Sequence, residues 1–190
     1  MDPMPVDDIL LAATCPYHIN MIYRSEGSMA SSAGLFLHAA VVRGGTAIAI
    51  ATASHHEALD GELSGQGLDL AALKRQGRYI ALDAESVDDR FTQGGRFHAK
   101  RTESFGADLL HRANAAGGPV SLFGEVAGLF VQRKDRQGAM DLEDLWDRLL
   151  VERPHRALCG YPGSAFTGST GRRDLKAFCD RHAHTIGRGA

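Results

Sequence analysis

Cysteine is scarce: only Cys15, Cys159 and Cys179 occur among 190 residues, far apart in the chain. That spacing excludes a disulfide framework and leads us to expect reduced thiols in the cytoplasm. Charge of one sign is missing too. Lys and Arg number 21 against 23 Asp and Glu, and no basic block offers a nucleic-acid footprint. Long apolar runs are absent; residues 47–51 form the longest, too short to span a bilayer. Residues 1–5 lack a positive stretch followed by an apolar one, so no secretory signal is expected. The catalytic and cofactor signatures that need a fixed spacing are also missing. There is no Gly-x-Ser-x-Gly elbow, no dinucleotide Gly-x-Gly-x-x-Gly and no Cys-x-x-Cys pair, and we expect no cofactor.

What is present is an alternation of strand-like and helix-like segments. A strand over 17–24 precedes an amphipathic helix over 29–42, which Gly44-Gly45 stops. Residues 46–51 suit a strand buried on both faces. Ser54-x-x-Glu57 has the form of a capping box for a helix to about residue 63. Asp69 caps a short helix to residue 75, and a third strand covers 78–82. A short helix over 85–91, a glycine loop at 93–95 and a longer helix over 98–116 follow, the last ended by Gly117-Gly118-Pro119. Residues 120–123 form a fourth strand, and Leu142, Leu145, Trp146, Leu149 and Leu150 stripe a helix. A fifth strand over 156–161, a flexible surface loop over 162–171 and a helix over 172–184 complete the chain. The pattern predicts a single α/β domain, three layers deep, with a mainly parallel central sheet flanked by helices. Residues 1–14 read as an N-terminal extension and about 15–184 as its core. In such a sheet ligands sit outside the carboxyl ends of the strands.

The segment between the first strand and helix, Ser25-Glu26-Gly27-Ser28, stands where a nucleotide-binding protein would carry G-x-x-x-x-G-K-[ST]. It has one glycine, an acid and no lysine. Beside it, four short pieces carry a resemblance: His18-Ile19-Asn20-Met21-Ile22-Tyr23; Phe36-Leu37 with Val42-Arg43-Gly44-Gly45; residues 63–70 leading through Gly77 into Tyr79-Ile80-Ala81-Leu82; and Gly124-Glu125 with Cys159-Gly160-Tyr161. In this order they resemble the MEDS domain family, the sensory domain of methanogen and methylotroph proteins such as the DcmR regulator. Through it they resemble the KaiC/RecA-like ATPases. The resemblance implies a RecA/KaiC-like fold and a cytoplasmic sensory role with a small organic ligand or a signalling protein such as a histidine kinase. Homo-oligomers are also in keeping with it. KaiC-like enzymes carry acids just after strand two, where this chain reads Thr52-Ala53-Ser54-His55-His56. With neither lysine nor acids, ATP hydrolysis lacks a provider of charge neutralisation or water activation. A nucleotide binder using backbone amides at Gly27 and Ser28 is the alternative.

His18, Glu26, Glu125 and Tyr161 are expected to line the ligand pocket. His18 serves either as a ligand contact or as a structural hydrogen bond at a strand edge. Glu125 serves either as a site carboxylate or as a cap of the following helix. Cys159, Cys179 and His182 carry donors that suit zinc. Yet Leu175, Phe178, Cys179 and His182 repeat at core-facing helical spacing, so core packing without a metal is the expectation. His55-His56-Glu57 reads as a capped helical turn or an anion or metal contact.

Overall fold

The computed structural model describes residues 6–12, 18–150, 155–182 and 184–187. The chain runs through α1 (Val6–Leu11), β1 (His18–Tyr23), α2 (Glu26–Val42), β2 (Thr46–Ala51), α3 (Ala53–Gly65), α4 (Leu70–Arg75) and β3 (Tyr79–Asp83). It continues with α5 (Ala84–Phe91), β4 (Thr92–Gln93), β5 (Arg96–Phe97), α6 (Ala99–Asn114), β6 (Val120–Gly124), α7 (Val126–Gln132) and α8 (Arg136–Leu150). It closes with β7 (His155–Pro162), a 3-10 turn (Gly163–Phe166), α9 (Gly168–Cys179) and β8 (His184–Ile186).

Six strands form one sheet in the order β3-β2-β6-β7-β1-β8, and every pairing in it is parallel. The predicted α/β architecture is therefore correct. Strand periodicity divides the core. Ile48, Ile50, Leu122, Ala157, Cys159 and Tyr161 point to one face, where α5, α6, α7, α8 and α9 pack. Ala47, Ala49, Ala51, Phe123 and Leu158 point to the other, covered by α1, α2, α3 and α4. All six residues of β2 are buried, as a continuous apolar run in a parallel sheet requires.

Several local expectations are corrected. α1 falls in the stretch read as an extension, yet its Ile9 and Leu10 are buried in the core, and Arg156 donates to the carbonyl oxygens of both. α3 begins at Ala53 with Thr52 as its N-cap and no side-chain capping bond, so the Ser54 capping box does not form. The Thr52 amide is instead drawn to the Glu125 carboxylate. Residues 162–171 do not form a flexible loop: the 3-10 turn buries Phe166 against Tyr161 and Phe178, and α9 starts at Gly168. The predicted last helix, 172–184, ends at Cys179, and His184 opens an edge strand instead. Asp69 caps α4 as expected, accepting from the Ala72 amide at 2.9 Å.

Candidate functional site

The structure separates the four expected pocket residues into two places. Glu125 stands at the carboxyl end of β6, 3% exposed. Tyr23, the last residue of β1, donates its hydroxyl to Glu125 Oε1 at 3.0 Å. His55, in the first turn of α3, places Nδ1 2.6 Å from the same oxygen. The Thr52 amide donates to Oε2 at 3.2 Å. Glu125 is the N-cap residue of α7 but makes no side-chain capping bond. The helix-cap reading is thus not borne out: the carboxylate is buried and takes its partners from other elements.

Glu26 is exposed in the first turn of α2, close enough that its charge acts on His55. The pKa of His55 is raised, first by its hydrogen bond to Glu125 and then by the charges of Glu125 and Glu26, against the opposing effect of burial. A histidine whose folded pKa lies above its unfolded value stabilises fully below that unfolded value, about 6.5, and loses this stabilisation as pH rises through the folded pKa. The gap in melting midpoint between the wild type and His55→Gln should therefore narrow as pH rises above neutrality. A gap that stays constant from acid to alkaline pH would show that the Glu125–His55 contact carries no charge. His56 points elsewhere, to the Leu82 carbonyl at 2.9 Å, so His55, His56 and Glu57 do not converge.

The segment at the phosphate-loop position, which lacks the lysine and glycines to grip phosphate, is a capped helical turn. Only Arg24 and Ser25 separate β1 from α2, too few to wrap a phosphate chain. Ser25 and Ser28 satisfy each other: each hydroxyl accepts from the other's backbone amide at 3.3 Å. One donor of the α2 N-terminus is thereby already used. A cavity of about 400 Å³ does open at this end of the sheet. It is lined by Ile22, Arg24, Gly163, Ser164, Phe166, Leu175 and Gly187, and none of the four expected residues lines it.

His18 and Tyr161 lie elsewhere. His18 is the first residue of β1 and so stands at the amino end of the strand, remote from the carboxyl edge. His18, Asn20 and Ile22 share one face and pair with Ala157, Cys159 and Tyr161 of β7. Over that face α8 places Glu143, wholly buried. His18 Nε2 lies 2.8 Å from Glu143 Oε2 and 3.1 Å from Cys159 Sγ. Cys159 donates to Glu143 Oε2 at 3.3 Å, and Tyr161 donates its hydroxyl to Glu143 Oε1. His182, just past α9, has its Nε2 3.3 Å from Glu143 Oε2. Burial opposes the charge on Glu143, but the two imidazoles outweigh it and hold the carboxyl well below the usual range. Burial, then the Glu143 charge, pushes the Tyr161 phenol upward.

One donor atom each from His18, Glu143, Cys159 and His182 lies within 4.8 Å of all the others. Cys179 is not among them; its Sγ faces the Asn20 amide at 3.8 Å. Sequence reasoning missed Glu143. Its signal was an acid on a helix face otherwise made of Ala139, Leu142, Trp146 and Leu150.

The sequence profile of the MEDS family (methanogen/methylotroph, DcmR sensory domain) matches residues 17–176. The chain belongs to the MEDS family. No curated protein sequence matches it. The MEDS chain is also similar in structure to a KaiC-like protein from the hyperthermophilic archaeon Pyrococcus horikoshii, with a TM-score of 0.50 at 13% identity. The match covers 78% of this chain and 62% of that one, so this MEDS chain spans under two thirds of the archaeal protein's length. At that identity the likeness concerns the fold. Among the described residues, no helix is long and apolar enough to cross a membrane.

Proposed function

We propose that this MEDS domain is a non-catalytic, cytoplasmic sensor that takes a small organic molecule at the carboxyl edge of its sheet and signals through a regulatory partner such as a histidine kinase or transcription regulator. The observation that carries this reading is the 400 Å³ cavity between β1, the 3-10 turn and α9, beside a first loop with no lysine and one glycine. Its size falls at the small end of the ligand-site range, and its walls are mainly apolar. Arg24 is the one charged residue among those lining it. Phe166, in one wall, also packs on Tyr161 and Phe178, so an occupant that moves Phe166 acts on the core beneath α9. Nearby, the internally satisfied Glu125 carboxylate repels phosphate, and neither lysine nor free glycine loop replaces it.

The test is thermal melting with a panel of small organic acids and neutral compounds, beside millimolar Mg·ATP and Mg·ADP. A ligand specific for the folded state must raise the midpoint. We expect a concentration-dependent rise with an organic compound, abolished by the pocket-filling Ser164→Trp, and none with nucleotide. A rise with Mg·ATP that survives Ser164→Trp would replace this reading with nucleotide binding at the α2 N-terminus.

A further inference from the structure

We propose that His18, Glu143, Cys159 and His182 bind one divalent transition-metal ion of the zinc class. The four donors come from four separate places in the fold: β1, α8, β7 and the turn after α9. All four residues are buried, and their ligand atoms converge within 4.8 Å. Bond lengths of about 2.0–2.3 Å in a tetrahedron set neighbouring ligand atoms roughly 3.3–3.8 Å apart. Four of the six observed separations, 2.8, 3.1, 3.3 and 3.3 Å, need to widen by a few tenths of an ångström on average, and all six lie within 4.8 Å.

The outer contacts point the same way. A metal-bound histidine presents one ring nitrogen to the ion and donates the other to a carboxylate or carbonyl. His18 turns Nε2 inward and holds Nδ1 2.6 Å from Asp147 Oδ1. His182 turns Nε2 inward and holds Nδ1 2.6 Å from the Phe178 carbonyl. Glu143 offers Oε2 to the centre, while its Oε1 accepts from Tyr161. A hydrogen-bonded network alone does not use these atoms well. His182 Nε2 faces Glu143 Oε2 at 3.3 Å without a well-aligned hydrogen bond, and His18 Nε2 faces both a thiol and a carboxylate with at most one proton to give. A cation contacts all four donors at once.

Donor chemistry selects the metal class. A thiolate and two imidazoles are too soft a set for magnesium or calcium and suit zinc, with cobalt(II) as its spectroscopic stand-in. Four protein ligands close the tetrahedron. The adjoining cavity, bounded by Glu143, Cys159, Leu122 and Trp146, measures only about 10 Å³, room for a single water at most. The ion would therefore brace β1, β7, α8 and the turn after α9 rather than meet a substrate. The proposal departs from the core-packing expectation for the stripe of Leu175, Phe178, Cys179 and His182 at His182 alone, and Cys179 stays outside the set.

The experiment uses the intact protein, stripped with chelator, reloaded with zinc or cobalt(II) and freed of loose ion by gel filtration. Elemental analysis should give one ion per chain, and the cobalt form should show a thiolate-to-metal charge-transfer band. Cys159→Ser should abolish that band, and His182→Gln should release the ion, each in a protein whose circular dichroism remains native. Asp147→Asn, at a half-exposed position that leaves the core intact, should weaken binding by about 10–100-fold. The proposal is overturned if folded wild-type protein holds no stoichiometric zinc or cobalt, or if the ion and its spectrum persist unchanged in Cys159→Ser. Should the buried variants fail to fold, an unchanged affinity in Asp147→Asn overturns it on its own.

Discussion

Glu143→Ala should lower the stability of the chelator-treated protein by about 3–5 kcal/mol, the range for breaking a buried ionic contact by removing one partner. Glu143 faces His18, Cys159, Tyr161 and His182 from the middle of α8, with no exposure to solvent. Its removal leaves two imidazoles, a thiol and a phenol without their shared acceptor, in a place water reaches at most one molecule at a time. Glu143→Gln keeps the shape and one acceptor oxygen and should cost less than the alanine change. Tyr161→Phe removes the phenol that the alanine variant strands, so the two changes together should cost less than the sum of each alone. Urea unfolding with a constant denaturant slope measures all four variants: Glu143→Ala, Glu143→Gln, Tyr161→Phe and the double change. A cost below about 1 kcal/mol for Glu143→Ala would mean that the four partners find other acceptors by repacking.

The two clusters give the ends of the sheet different tasks. At the carboxyl edge Tyr23, Thr52 and His55 converge on Glu125 from β1 and the start of α3, closing the crevice beside a short and capped first loop. Toward the amino end of β1, on the face that α8 covers, His18 and Glu143 join β1 to α8. Ile22 and Tyr23 are neighbours in β1, one lining the proposed ligand cavity and the other holding Glu125. A ligand that displaces the end of β1 is thereby felt at the Glu125 contacts, which gives the proposed sensor a physical route between pocket and edge.

Periodicity and punctuation carried the layered fold: the apolar runs of β2 and β6, and the glycine pairs after α2 and α6, are local signals that need no partner to be read. α7 was not legible because it follows Glu125 directly and buries Val126, Ala127, Gly128 and Phe130, leaving no polar stripe to mark its period. β8 has three residues and takes its identity from pairing with β1, a tertiary fact. The site was half legible. Glu125 at a strand end announces itself, whereas its separation from His18 and Tyr161, which meet at Glu143 instead, required the packing of α8 on β1 and β7. His18 and Cys159 meet because β1 lies beside β7, although 141 residues separate them. Glu143 was hidden by its neighbours: Leu142, Leu145 and Trp146 made the helix stripe look apolar.

Gly45→Ala should destabilise the domain by about 3 kcal/mol, the upper end of ordinary overpacking, and lower the melting midpoint by roughly 6–12 °C. Gly45 and Pro119 precede β2 and β6, and the Thr46 amide donates to the Pro119 carbonyl at 2.9 Å. A Cβ on Gly45 would lie 1.9 Å from that carbonyl oxygen and 2.8 Å from its carbon. Both are backbone atoms, so no rotamer change relieves the clash; the strand starts must part. Gly118 closes the same junction from the other side, with a φ of 74° and a would-be Cβ 2.9 Å from the Gly45 amide nitrogen. In the sequence both glycine pairs read only as helix stops, but in the structure they are also where two backbones touch. Gly61→Ala is the matching control. It lies within α3 with nothing within 4 Å of the added carbon, so helix propensity alone applies and should stabilise by about 0.5–1 kcal/mol. Opposite signs in thermal melting are the expected result. Equal, small effects at both positions would show that the β2–β6 junction is looser than a backbone contact allows.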